Sequence, residues 1–199
     1  NRDSYQNVQP VRVDVKHPDE IHTLFDPAIV YAKGGRLLKM LMDYIGEEAF
    51  RKGLKEYFDV HKYKNTTRDD LWTALSNASG FDVNSFMNPW LEQSGMPLIT
   101  ASHTGKSLHL SQRRFLLDGD DNESMWPVPL LAEGVLEKEV LNERENNYSL
   151  PSDKLPILNT HGSGHYVVHY KNGAQKELEK ALEAKTINPE ARINVLNDL

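Results

Sequence analysis

The hydrophobic period of this chain changes once, near its middle, and that change limits the architectures open to it. Up to Gly95-Met96-Pro97 the apolar residues recur at about the helical spacing, and beyond it they alternate as they do along half-buried strands. Helices first and short strands afterwards make an α+β protein. The chain therefore reads as an all-helical N-terminal part, a small β-sandwich and a short C-terminal helical segment.

The helices announce their own ends. Asp26 can cap a helix that has Pro27 at its first position, carries Val30, Leu37, Leu38, Leu41 and Ile45, and stops at Gly46. A second presents Phe50, Leu54, Tyr57 and Phe58. A third starts at Thr67, three residues before Asp70 as a capping box requires, and buries Leu71, Trp72 and Leu75 before Gly80. Asp82 caps a fourth with the face Val83, Phe86, Met87, Trp90 and Leu91, which Pro89 must either kink or interrupt. Ahead of them Val11, Val13 and Val15 alternate in an extended strip.

In the second half, residues 98–102 and 107–112 flank Thr104-Gly105-Lys106 as a hairpin. Further strands are expected at 126–132, 135–141, 155–159 and 165–170, separated by polar turns at 118–123 and 142–147. Helical spacing returns after Gly173, and a last helix opens at Ile187-Asn188-Pro189-Glu190 and runs to Leu199. A first residue that is asparagine, and a last helix cut off at Leu199, lead to the expectation of a trimmed or processed chain.

Charge and cysteine usage remove several function classes. The formal charge of -6 leaves no basic stripe for nucleic acid, so no nucleic-acid partner is expected. With 0 cysteines, disulfides, thiolate catalysis and thiolate zinc sites are excluded, and any metal would need histidine and carboxylate ligands. The longest apolar stretch, residues 37–45, is broken by Lys39 and Asp43, so no membrane association is expected. Together with the lack of a targeting pattern, this gives the expectation of a cytoplasmic protein.

Most constellations that could carry chemistry fail on geometry. There is no His-Glu-x-x-His. His165 and His169 lie in a strand-like sequence, where their spacing separates them by about 13 Å, too far for one metal ion. They read as two surface histidines on one strand face. His103 and His109 can meet across the hairpin but lack a third ligand. The run Asp118 to Glu123 would need glycine where Glu123 stands and glutamate where Pro129 stands to be an EF-hand loop. It reads as a solvated acidic turn. Gly162-Ser163-Gly164 lacks the outer glycines of a nucleophile elbow, and Ser163 reads as turn chemistry.

The informative segment is Pro18-Asp19-Glu20-Ile21-His22-Thr23-Leu24-Phe25-Asp26, continuing to Tyr31-Ala32-Lys33-Gly34-Gly35. Tyr31, Gly35, Leu38 and Met42 share one helical row. Two adjacent glycines cost about 1 kcal/mol each in a helix interior, which points to a close approach there. On physical grounds alone, Tyr31 reads as a half-buried aromatic at a helix contact.

The same segment resembles the zinc aminopeptidases of the aminopeptidase N family, which carry Pro-x-Glu-Ile, Phe-Asp and Tyr-x-Lys-Gly-Ala after their metal-binding helix. Asp70-Leu71-Trp72, Trp90-Leu91-Glu92-Gln93-Ser94-Gly95-Met96-Pro97, Trp126-Pro127-Val128-Pro129-Leu130 and Gly164-His165-Tyr166-Val167-Val168-His169-Tyr170 extend the resemblance over nearly the whole chain. Gly35 stands in place of the family's alanine, and Gln9 where histidine often precedes proline. The resemblance implies that residues 1–96 are the helical end of a catalytic domain, 97–171 a β-sandwich domain and 172–199 the start of a C-terminal helical domain. It implies Tyr31 as a transition-state-stabilising phenol acting on a peptide substrate. It also implies that the zinc ligands, the general-base glutamate and the Gly-x-Met-Glu-Asn motif belong to an upstream catalytic lobe of the same polypeptide. On this reading the chain binds no catalytic zinc and is inactive alone. The alternative is a non-catalytic scaffold or interaction module of helices plus a sandwich.

Overall fold

The computed structural model describes residues 2–119, 123–171 and 173–198. A 3-10 turn, Arg2–Ser4, precedes an irregular strip. A second 3-10 turn, Pro18–Glu20, then runs into α1, Ile21–Leu24. A π-helical segment, Ala28–Lys33, leads into α2, Gly34–Ile45, followed by α3, Glu47–His61, α4, Arg68–Ser79, and α5, Val83–Glu92. The strands are β1, Pro97–Thr104, β2, Ser107–Arg114, β3, Val128–Pro129, β4, Val140–Leu141, β5, Glu145–Ser149, and β6, Val167–Tyr170. Two helices follow, α6, Gly173–Glu183, and α7, Pro189–Asp198.

The helix signals act as the sequence requires. The Thr67 backbone N–H donates to Asp70 Oδ2 at 2.7 Å, closing the capping box, and Gly80 ends α4 in the left-handed conformation at φ 70°. Asp82 accepts from the Ser85 N–H at 3.0 Å. Pro89 stays inside α5, which remains one helix and buries Val83, Phe86, Met87 and Trp90. In α2 the buried face is Leu37, Met40, Leu41 and Tyr44, rotated from the expected stripe so that Leu38 is exposed. Only Gly53 of α3 is buried, and Phe58 is exposed.

That glycine lets α3 and α4 touch. A Cβ on Gly53 would stand 2.9 Å from Leu75 Cα and 3.1 Å from the Ala74 carbonyl oxygen, contacts that backbone cannot relieve without parting the helices. Gly53→Ala should therefore lower stability by about 1–3 kcal/mol despite the better helix propensity of alanine. The check is the denaturant midpoint at unchanged m-value; a raised midpoint would show that the two helices are not held at this distance.

The hairpin pairs Thr104 with Ser107 around Gly105 and Lys106, and the sheet order is β5-β2-β1-β6, with β1 and β6 parallel. β3 and β4 form a separate two-stranded ribbon. Buried residues of both, Ile99, Leu108 and Leu110 from the sheet and Val128 and Leu141 from the ribbon, join one core with α2, α4 and α5. Trp90 links the halves, donating from its indole N–H to the Pro127 carbonyl at 3.2 Å.

The strand expectations need correction where proline and polarity intervene. The run 126–132 narrows to β3, which is preceded by Pro127, a residue with no N–H to donate. The run 155–159 is not a strand: Pro156 interrupts it and Asn159 has φ 54°. The expected polar turn at 142–147 contains the start of β5, an edge strand whose one buried side chain is Tyr148, so no apolar alternation marked it. The strip holding Val11, Val13 and Val15 pairs with no strand, although the Arg12 N–H donates to the Leu91 carbonyl at 2.9 Å. Of the acidic turn 118–123, residues 120–122 lie outside the described residues.

Candidate functional site

The site begins at Asp26. Its carboxylate accepts from the Ala28 N–H at 3.0 Å, while its carbonyl accepts from Ile29 and Val30 at 3.0 and 2.8 Å. The turn that follows is wider than an α-helix: the Gly34 N–H reaches the Ile29 carbonyl, five residues back. Such π turns cost hydrogen-bond geometry and concentrate at functional sites. Here the turn aims Ile29 and Lys33 inward and Tyr31 outward.

Tyr31 is 69% exposed, which corrects the reading of a half-buried core aromatic. Its ring stands edge-on to Phe25 at 5.6 Å, and its hydroxyl has no hydrogen-bond partner among the described residues. Ile21, Phe25 and Leu38, from the neighbouring turns of chain, are exposed as well. A Cβ on Gly34 or Gly35 would meet nothing within 4 Å. The close approach expected of the glycine pair is thus not made by any described residue of this chain. The side of the helix that carries Gly35 is open.

On the opposite side of the turn from Tyr31 lies a charged cluster. Lys33 is 3% exposed, and its ammonium lies 3.1 Å from Asp3 Oδ2 and donates to the carbonyls of Gly95 at 2.7 Å and Gln93 at 3.4 Å. Asp3 Oδ1 also accepts from the Gly95 N–H at 3.1 Å, and His165 Nε2 is 2.9 Å from Asp3 Oδ2. Burial pushes both the Lys33 ammonium and the His165 imidazole below their ordinary pKa values, against the attraction of Asp3. Burial acts to raise the Asp3 carboxyl, but the His165 hydrogen bond and the Lys33 charge outweigh it and hold Asp3 below the usual range. An ionised Asp3 accepts from an imidazole that carries its proton on Nε2.

An open cleft of 440 Å³ runs past this cluster between the π turn, the residues before β6 and α7, with Arg36 and Asp198 on its walls. Arg36 donates to the Gly164 carbonyl at 3.0 Å, and burial pushes the Asp198 carboxyl up to about 7.

The remaining histidines disperse. His165 precedes β6 and is tied to Asp3, whereas His169 lies within the strand and is exposed, which corrects the expectation of two surface histidines on one strand face. Their four-residue spacing on a strand-like sequence gave no sign that one would be buried. His103 is paired with Leu108 and His109 with Ser102, positions that alternate across the hairpin, so the two imidazoles point to opposite faces. The Ser163 hydroxyl is buried with no partner among the described residues. No group of three or more His, Asp or Glu side chains among the described residues is placed to hold a metal ion, and with a lysine at its centre the Asp3 cluster does not fit one either. No helix among the described residues is long and apolar enough to cross a membrane.

Residues 1–90 match the peptidase family M1 domain. The chain is 47% identical over 177 residues to an aminopeptidase N of Lactococcus lactis subsp. lactis, covering 85% of this chain and 21% of that protein. It is 36% identical over 208 residues to an aminopeptidase N of Lactobacillus helveticus, covering 100% of this chain and 24% of that protein. A protein of Thermoplasma volcanium named tricorn protease-interacting factor F2 is 39% identical over 175 residues, covering 85% of this chain and 21% of that protein. The chain thus spans between a fifth and a quarter of the length of these relatives.

Proposed function

We propose that this chain, which belongs to peptidase family M1, is the part of a zinc metallo-aminopeptidase that supplies the phenol acting on the scissile carbonyl. The observation that supports this reading is an outward-facing Tyr31 on a π turn, with no hydrogen-bond partner among the described residues, beside the exposed Phe25 and with open space at Gly35. When a tetrahedral intermediate forms at the first peptide bond of a substrate, its oxygen gains negative charge. A fixed phenol O–H donates a hydrogen bond to that oxygen and strengthens the bond as the charge grows, which lowers the barrier rather than only tightening substrate binding. Tyr31 is the catalytic residue in this account.

In this proposal the zinc ligands lie in an upstream catalytic lobe of the same polypeptide. The exposed apolar side chains of Ile21, Phe25, Tyr31 and Leu38 then serve as the seat of the upstream catalytic lobe, closing the substrate site between lobe and phenol. In this proposal residues 1–96 complete the catalytic domain, 97–171 form the β-sandwich domain and 172–199 open a C-terminal helical domain.

The experiment is an aminopeptidase assay on the purified 199-residue chain with and without added zinc, beside the complete enzyme. Turnover by the complete enzyme and none by the chain alone is expected. Metal-dependent release of N-terminal residues by the chain alone would overturn the assignment of the metal site to the upstream lobe.

A further inference from the structure

We propose that Lys33 is a positioning residue: its buried ammonium, clamped between Asp3 and the Gln93 to Gly95 segment, sets the π turn that aims Tyr31. The inference rests on the reading of Tyr31 given above and adds what holds the phenol in place.

Lys33 occupies an inward position between Ile29 and Leu37, where an apolar side chain would pack without desolvating a charge. A buried ion pair is seldom a source of net stability, since well-packed apolar replacements are often neutral or stabilising; its better-attested use is to fix one arrangement among several. The arrangement here is specific. Nζ donates to Asp3 Oδ1 at 3.3 Å, the Gly95 carbonyl at 2.7 Å and the Gln93 carbonyl at 3.4 Å, one acceptor for each ammonium hydrogen.

Each partner comes from a different part of the chain. Asp3 lies in the first 3-10 turn and also binds the Gly95 N–H and His165, while Gln93 and Gly95 form the link from α5 to β1. The clamp therefore references the π turn to the start of the sheet, the segment before β6 and the N-terminal turn at once. Tyr31 is two residues from Lys33 on the opposite side of the same turn, and relaxation of that turn to an α-helix would rotate every residue before it relative to α2. Exposed and without a hydrogen-bond partner among the described residues, the phenol is held in direction there only by the edge contact with Phe25.

The test joins backbone exchange in this chain to a double-mutant cycle in the complete enzyme. In the 199-residue chain, Lys33→Met should speed amide hydrogen exchange across residues 30–35 by roughly 10 fold or more while the protection of α4 and β1 stays the same. In the complete enzyme, Lys33→Met should lower kcat by roughly 10 to 100 fold, the scale of an ångström-sized misplacement, with KM little changed. The same substitution in a Tyr31→Phe background should add nothing further. Asp3→Asn keeps the shape of the cluster and should give the same pattern in weaker form, which covers the case in which Lys33→Met does not fold. Unchanged exchange at residues 30–35 in a folded variant, or a loss of kcat that multiplies with that of Tyr31→Phe, would overturn the positioning role. A Tyr31→Phe enzyme of normal turnover would instead count against the reading of Tyr31, so the two failures are separate results.

Discussion

Tyr31→Phe in the complete enzyme should lower kcat by roughly 100 to 1000 fold, the usual effect of removing one donor to a developing oxyanion. The fold should not register the change. The Tyr31 hydroxyl bonds to nothing among the described residues, and a phenylalanine keeps the edge-on contact with Phe25. KM should move little, because a carbonyl oxygen in the ground state attracts the phenol weakly and the charged intermediate attracts it strongly. A variant that kept near-normal kcat would remove the phenol from the reaction. One that lost thermal stability along with activity would mean that Tyr31 supports structure, which its exposure does not allow for.

The largest effect on folding is expected at Gln112. This buried side chain joins β2 to the segments around it: its amide nitrogen is 2.9 Å from the Trp126 carbonyl, 3.2 Å from that of Leu141 and 2.9 Å from that of Glu143. Its oxygen accepts from the Trp126 N–H at 3.0 Å. Gln112→Leu keeps the volume but removes the acceptor of the buried Trp126 N–H and the donor to three carbonyls, a lost bond to a buried group costing about 1–3 kcal/mol. A total loss of about 3–5 kcal/mol is expected after partial relaxation, or a drop in Tm of about 6–20 °C for a chain of this size. Arg113→Ala, one residue away and exposed, should change stability by no more than about 0.5 kcal/mol. Equal effects at the two positions would mean that the Gln112 bonds are not what holds β2 to its neighbours.

How much of this was legible beforehand depended on the kind of signal each residue leaves. Caps are local chemistry, so Thr67 with Asp70, Asp82 and Gly80 fixed their helix ends by the groups they carry. The hairpin around Gly105 was equally local. The strands that went astray were those whose pairing depends on distant partners: β5 is a polar edge held by β2, and 155–159 is buried without being extended. The π turn left no mark in the hydrophobic spacing except a rotation of the α2 stripe by about one position, visible only once Ile29 and Met40 are seen to be buried and Leu38 exposed.

Tyr31 was reached through its resemblance to a family motif, not through physics, which favoured a core aromatic. Lys33 was legible in principle, being a charge on the inward row of Ile29 and Leu37, yet its partners Asp3 and His165 stand far away in sequence and no spacing rule joins them. The two glycines after it signalled an approach of something to the helix. Among the described residues nothing comes within 4 Å of a Cβ there, and the open side they leave is where the proposed catalytic lobe would seat.

The most direct measurement is a crystal structure of the complete enzyme with a phosphinic peptide analogue, whose tetrahedral phosphorus carries an oxygen where the oxyanion would form. The Tyr31 phenol oxygen is expected at about 2.5–2.8 Å from that oxygen, within the range of a charge-assisted O–H···O bond. A phenol turned away from it, or separated from it by water, would contradict the role given to Tyr31.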